Sequence, residues 1–162
     1  HFAGGGTPGS FALGAGALEA FLGKLHAPAG ASVILDASGR SKMDRLSCGQ
    51  ILWVLRKMRM HAYGKAYESL FPQAGEGILE DRFTPAENQE HRIMPRLAGK
   101  LPIWAIVSSD EDQQAAAGWV NSEAGRSLAF AIVVENSSLP SAQVQQQIDM
   151  LVLEILSGGS GR

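Results

Sequence analysis

The sequence holds a single cysteine, Cys48, so no internal disulfide framework can staple it. One thiol is tolerated in oxidising and reducing compartments alike, and composition leaves localisation open. No apolar stretch approaches the roughly 20 residues that span a bilayer. The amino end has no basic region followed by an apolar one, so no signal peptide is visible, although a chain opening on His1 could have lost a leader. Charge of one sign is also missing: 14 Lys and Arg face 16 Asp and Glu, and no basic run exceeds Arg56-Lys57. That balance gives no electrostatic case for nucleic acid or an anionic membrane.

Ligand constellations are equally scarce. No two of His1, His26, His61 and His91 fall at helical ligand spacing and none has Cys48 at that spacing, whereas zinc usually takes three or four such groups. Neither a metal nor a cofactor is expected. The run Gly4 to Gly9 lacks the Lys-Ser/Thr of a phosphate loop. Gly14-Ala-Gly16 lacks the third glycine of a dinucleotide fingerprint and follows no strand. Both are expected to be linker and helix-entry glycines.

What the chain does have is a globular composition, 45% hydrophobic and 19% charged over 162 residues, enough for one domain with a real core. Residues 1–14 are expected as a flexible lead-in, 15–157 as one α+β domain and 158–162 as a flexible tail. Ala17, Leu18, Phe21, Leu22 and Leu25 fall at helical spacing, predicting a helix over about 15–25 that ends at Pro28 and Gly30. The apolar, β-branched run 31–37 predicts a strand or extended segment. Ser47-Cys-Gly-Gln50 matches a capping box, and Ile51, Leu52, Leu55 and Met58 continue the helix it would start. Residues 64–100, broken by Pro72, Gly75, Gly77, Pro85 and Pro95, are expected to be irregular.

Three strand-like runs follow, 101–108, 115–121 and 128–135, joined by short polar connections that favour an antiparallel meander. A last helix over about 141–156 has Pro140 at its start and Gly158 just past its end. The expected fold class is therefore α+β, an antiparallel sheet with helices on one face. Three strands are few for this length and leave edges that need covering.

Two polar clusters are candidate sites: 36–44, between the extended run and the capped helix, and Arg96-Leu-Ala-Gly-Lys-Leu101, entering the first strand. Strand ends and strand-to-helix turns are common places for sites. Their order along the chain carries a resemblance. Asp36-Ala-Ser-Gly-Arg-Ser-Lys-Met-Asp-Arg-Leu-Ser47 resembles the Asp-Gly-Ser-Gly-Leu-Ser-Arg-x-Asn segment of class C penicillin-binding proteins, the D-alanyl-D-alanine carboxypeptidase/endopeptidases of peptidase family S13. Ser69-Leu-Phe-Pro-Gln-Ala-Gly-Glu-Gly-Ile-Leu-Glu-Asp-Arg-Phe83 is similar to that family's Ser-Leu-Pro-x-Ala-Gly block. Arg96 to Leu101 stands where the family has Lys-Thr-Gly-Thr-Leu, and 116–136 resembles its closing hairpin. The likeness covers about 15–156 and implies the C-terminal part of a β-lactamase/transpeptidase-like fold.

The departures fall on the reactive positions. The family's nucleophile and its activating base lie in a Ser-x-x-Lys motif, needed because a serine hydroxyl is a weak nucleophile without an adjacent base. These 162 residues contain no Ser-x-x-Lys. In the second motif Ser41 matches, but Asp44 stands where the family has Asn. An ionised carboxylate accepts hydrogen bonds only, and its charge opposes a developing oxyanion. In the third, Leu97-Ala98-Gly99 replaces Lys-Thr-Gly, while Arg96 and Lys100 fall on the strand face opposite position 97.

The resemblance thus implies a non-catalytic relative kept for binding or assembly, in contact with another chain or a second copy through sheet edges, with a peptidoglycan peptide as a further candidate partner. Its compartment would be periplasmic or otherwise extracytoplasmic. The alternative is half of an active carboxypeptidase, completed by a separate Ser-x-x-Lys chain or segment. A third reading is an unrelated role on a similar fold.

Overall fold

The computed structural model describes residues 9–28, 32–36, 41, 43–83, 101–110 and 112–158. Contacts divide the chain into two compact units, 1–58 and 59–162.

In the first unit, α1 spans Phe11–Lys24 and starts earlier than its apolar spacing predicts. The cause is Ser10, whose side chain accepts from the Leu13 N–H at 3.3 Å and caps the first turn. Of the run expected as a strand or extended segment, residues 32–36 are described, and they form one antiparallel bridge, Val33 to Arg45. Helix α2, Cys48–Arg59, begins at the expected capping box. The Gln50 N–H donates to Ser47 Oγ at 3.2 Å, and the Ser47 N–H donates to Gln50 Oε1 at 3.0 Å. Two orphan donors of the helix start are satisfied reciprocally. Trp53 of α2 donates its indole N–H to the Leu25 carbonyl at 3.0 Å, tying α2 to the end of α1.

The second unit holds the short helix α3 (Gly64–Glu68), a 3₁₀ turn at Gly77–Leu79, three strands and α4. Strands β1 (Ile103–Ser109), β2 (Gln113–Asn121) and β3 (Ser127–Glu135) form the expected meander in the order β1-β2-β3. Helix α4 spans Ser141–Leu156. Side-chain alternation divides the sheet into two faces. Ile103 and Ala105 of β1, Ala116 and Val120 of β2 and Phe130 of β3 form one core with Val144, Ile148 and Val152 of α4. Leu79 and Phe83 close that core from the irregular segment. Trp104, Trp119 and Ala131 belong to the opposite face.

Two long-range polar contacts fix this unit. Arg82 forks onto Asp149 of α4, with Nη2 to Oδ1 at 2.7 Å and Nε to Oδ2 at 2.9 Å. The Phe83 N–H donates to the same carboxylate at 3.0 Å, although Phe83 sits in the left-handed region at φ 59° with its ring buried. On the sheet, buried Gln114 donates to the Asp110 carbonyl and accepts from Gln145 Nε2 of α4 at 3.1 Å.

The ladder settles which backbone groups point outward. The Asn121 N–H donates to the Pro102 carbonyl at 3.0 Å, and the Ser122 N–H to the Arg126 carbonyl at 2.8 Å. In an antiparallel ladder, directly opposed residues alternate between bonded and non-bonded pairs. Odd-numbered residues of β2 therefore bond β1, and even-numbered ones bond β3. On β3 the N–H and C=O of Ala129, Ala131 and Val133 face away from β2, and no backbone partner for them exists among the described residues. The outer edge of β1 is half covered instead. Ala74 donates to the Ile103 carbonyl at 2.8 Å, and Ala105 donates to the Pro72 carbonyl at 3.2 Å.

Candidate functional site

The turn before α2 brings Ser41 and Asp44 together and spends both on the backbone. Ser41 Oγ accepts from the Met43 N–H at 3.2 Å, and the Ser41 carbonyl accepts from the Asp44 N–H at 3.3 Å. Asp44 Oδ1 accepts from the Leu35 N–H at 2.7 Å, a short charge-assisted bond. Beside it, the Val33–Arg45 bridge is closed by two backbone bonds of 3.0 and 2.8 Å. A carboxylate here works as a clamp between the turn and the extended run. An asparagine oxygen could accept the same bond, but only the amide could also donate outward.

The other sequence-derived positions, Arg96, Leu97, Ala98, Gly99 and Lys100, lie outside the described residues. His61, one of the four histidines, accepts from the Tyr63 N–H through Nδ1 at 3.2 Å, a local turn contact. No group of three or more His, Cys, Asp or Glu among the described residues could hold a metal ion. No described helix is long and apolar enough to cross a membrane.

A site that the motifs did not indicate lies in the second unit, on the sheet face opposite α4. A cleft of about 380 Å³ has buried Phe71 and Trp119 and half-buried Trp104 in its walls. Arg59, Glu68, Ser69 and Asn121 complete the lining. The aromatic wall is a packed cluster: Phe71 meets Trp119 edge-on at 4.5 Å between ring centroids, and Tyr67 meets Trp119 at 6.0 Å. Burial pushes the Tyr67 hydroxyl pKa above its usual 10.0. At the mouth, Arg59 Nε pairs with Glu68 Oε1 at 2.9 Å, and Arg59 also donates to the Ser127 hydroxyl. The Trp119 indole N–H is buried without a hydrogen-bond partner among the described residues. Tyr67 and Phe71, four residues apart, are the sequence signal that could have pointed here.

Comparison with known proteins bears on the whole chain. The D-Ala-D-Ala carboxypeptidase 3 (S13) family matches residues 2–155. Among solved structures, penicillin binding protein 4 (dacB) from Haemophilus influenzae superposes with a TM-score of 0.72 at 23% identity, over 92% of this chain and 33% of that one. The same protein complexed with a novel β-lactam gives a TM-score of 0.68 at 22% identity, over 92% and 34%. This chain therefore spans about a third of the length of those solved structures. No curated protein sequence matches it.

Proposed function

The chain belongs to the D-Ala-D-Ala carboxypeptidase (S13) family, and from that premise we propose that it is a non-catalytic member, acting by binding or assembly. The observation that carries this reading is the substitution of the reactive positions: Asp44 for the motif Asn, and Leu97-Ala98-Gly99 for Lys-Thr-Gly. The geometry of Asp44 supports it. The residue serves a backbone N–H at 2.7 Å, a fold role that needs no substrate. At position 97, leucine has neither a charge nor a donor with which to hold a substrate carboxylate.

The test is incubation of the purified chain with a fluorescent penicillin. The expected result is no covalent adduct after denaturing electrophoresis; a stable adduct overturns the proposal.

Assembly would use the outer edge of β3, which has no backbone partner among the described residues. Residues 127–134 carry no charge and no proline, the devices that usually blunt an edge strand. Three successive outward positions, Ala129, Ala131 and Val133, offer small side chains and open backbone groups to an added strand. The expected species in sedimentation at micromolar concentration is a dimer or a complex with another chain. Ala131→Pro removes one outward N–H without breaking a β2–β3 bond, so it is expected to abolish association and leave the fold intact. A well-folded monomer of the unmodified chain would count against assembly.

A second reading, half of an active enzyme, is favoured by the partial span of this chain against its solved relatives. It would require a Ser-x-x-Lys polypeptide that supplies the strand beside β3. Penicillin labelling that appears only when such a polypeptide is added would establish it.

A further inference from the structure

Two Asn-Ser dipeptides, Asn121-Ser122 and Asn136-Ser137, stand at the ends of β2 and β3, and the fold treats them oppositely. In such a pair the serine nitrogen can close a five-membered ring on the asparagine carboxamide, because a serine side chain hinders it little. Asn121 is exposed, yet its backbone is locked. Its N–H donates to the Pro102 carbonyl at 3.0 Å, and the N–H of buried Ser122 donates to the Arg126 carbonyl at 2.8 Å. Asn136 is exposed as well, but lies outside both elements, in the exposed connection 136–140 between β3 and α4. Its backbone is left-handed at φ 51°, a conformation that Asn tolerates better than most residues with a side chain. Two bonds steady this connection, from the Asn136 N–H to the Asp112 carbonyl at 2.9 Å and from the Leu139 N–H to Ser137 Oγ at 3.1 Å. Neither uses the Asn136 carboxamide or the Ser137 nitrogen, the two groups that must meet.

We propose that Asn136 is a self-modifying site, converted without an enzyme through a cyclic imide to aspartate and isoaspartate. Base takes the Ser137 N–H proton, and the nitrogen attacks Asn136 Cγ. The Cγ–N bond forms, the bond from Cγ to Nδ2 breaks, and ammonia leaves with a proton from water. Water then opens the imide. Breaking its bond to Cγ restores the main chain with aspartate at 136. Breaking its bond to the backbone carbonyl carbon routes the main chain through the side chain, as isoaspartate. The net reaction consumes water and releases ammonia, with nothing oxidised or reduced. Either product places a new negative charge beside Asp112 and Glu135, and isoaspartate also lengthens the path into α4 by one backbone atom. The change runs one way, so the converted fraction records the age of the folded chain. This inference does not rest on the carboxypeptidase reading.

The experiment ages the purified, folded chain in mildly alkaline buffer and follows both dipeptides by peptide mapping, with an isoaspartate assay on each peptide. Asn136 is expected to convert at least about tenfold faster than Asn121, where ring closure must first break backbone hydrogen bonds. In urea, with the fold removed, the two should convert at similar rates. Ser137→Gly frees the attacking nitrogen further and should speed conversion several-fold, whereas Ser137→Val crowds it and should slow conversion several-fold. Asn136→Gly suits the left-handed backbone and should stop the formation of acidic variants at this position. Equal rates at Asn136 and Asn121 in the folded chain would overturn the proposal. So would aspartate without isoaspartate at 136, which marks direct hydrolysis instead of ring closure.

Discussion

Removing Asp149 should be the most damaging single change at a polar side chain in the second unit. Arg82 and Asp149 have side chains only 14% and 13% exposed, so solvent screens the pair weakly. The carboxylate takes both arms of the guanidinium fork and the Phe83 N–H as well. Deleting one member of a buried pair costs about 3–5 kcal/mol, because the remaining charge stays buried. An orphaned backbone N–H costs about 1–3 kcal/mol and overlaps with that figure. Asp149→Ala is therefore expected to lower unfolding free energy by about 4 kcal/mol, a large part of the roughly 5–15 kcal/mol that folds a domain. Asp149→Asn should be nearly as costly, since its amide N–H₂ would face donors on one side. The double variant Arg82→Met with Asp149→Leu removes both charges and leaves only the Phe83 N–H unpaired. Its expected cost is about 1–2 kcal/mol. Urea unfolding followed by tryptophan fluorescence, with the single variants Arg82→Met and Asp149→Leu included, gives all four corners of the cycle. A cost under about 1 kcal/mol for Asp149→Ala, or no coupling between the two sites, would refute the reasoning.

Three further changes test other parts of the fold. A Cβ on Gly118 would lie 2.0 Å from the Trp104 carbonyl oxygen and 2.7 Å from the Ala105 Cα, both backbone atoms. Gly118→Ala must push β1 away from β2, and a loss of about 3 kcal/mol or more is expected in the same urea assay. Ser47→Ala removes one half of the capping box and should cost about 1 kcal/mol, with α2 amides exchanging faster with deuterium. Tyr67, whose folded pKa is raised by burial, contributes fully below pH 10. Above it the unfolded chain ionises first, so stability should fall as pH rises through the folded value. Tyr67→Phe is expected to remove that alkaline slope, measured as unfolding free energy between pH 9 and 11.

Much of the fold is legible because it is written locally. Alternating apolar residues and short polar turns place the three strands within two residues of their observed ends. Pro140 and the stripe Val144, Ile148 and Val152 place α4. Ser47 and Gln50 announce α2 through their own side chains. The start of α1 was hidden because Ser10 caps a turn built on Phe11-Ala-Leu-Gly, which has weak periodicity. The run 31–37 has strand composition, yet a strand also needs a partner of matching length, and among the described residues only Arg45 pairs with it, at Val33. Gly118 carries no local mark of its role, because the closeness of β1 is a property of two strands together. Asp44 was identified by position in a motif, while its bond to Leu35 depends on the chain folding back across nine residues. The aromatic cleft is non-local in the same sense, drawing α3, β1 and β2 to one place.

The buried amide of Gln114 also has a bearing on how many native-like packings this sequence permits. Apolar contacts between α4 and the sheet are nearly indifferent to a slide along the helix axis, since one aliphatic group can replace another. An amide is not indifferent. A shift of α4 by one turn, about 5.4 Å, would carry Gln145 away and take from the buried Gln114 oxygen the donor it has here. That single mismatch opens an energy gap between the observed register and its neighbours. Gln114→Leu could thus leave the chain as stable as before while letting α4 sample several positions, seen as broadened methyl resonances and not as a lower melting temperature.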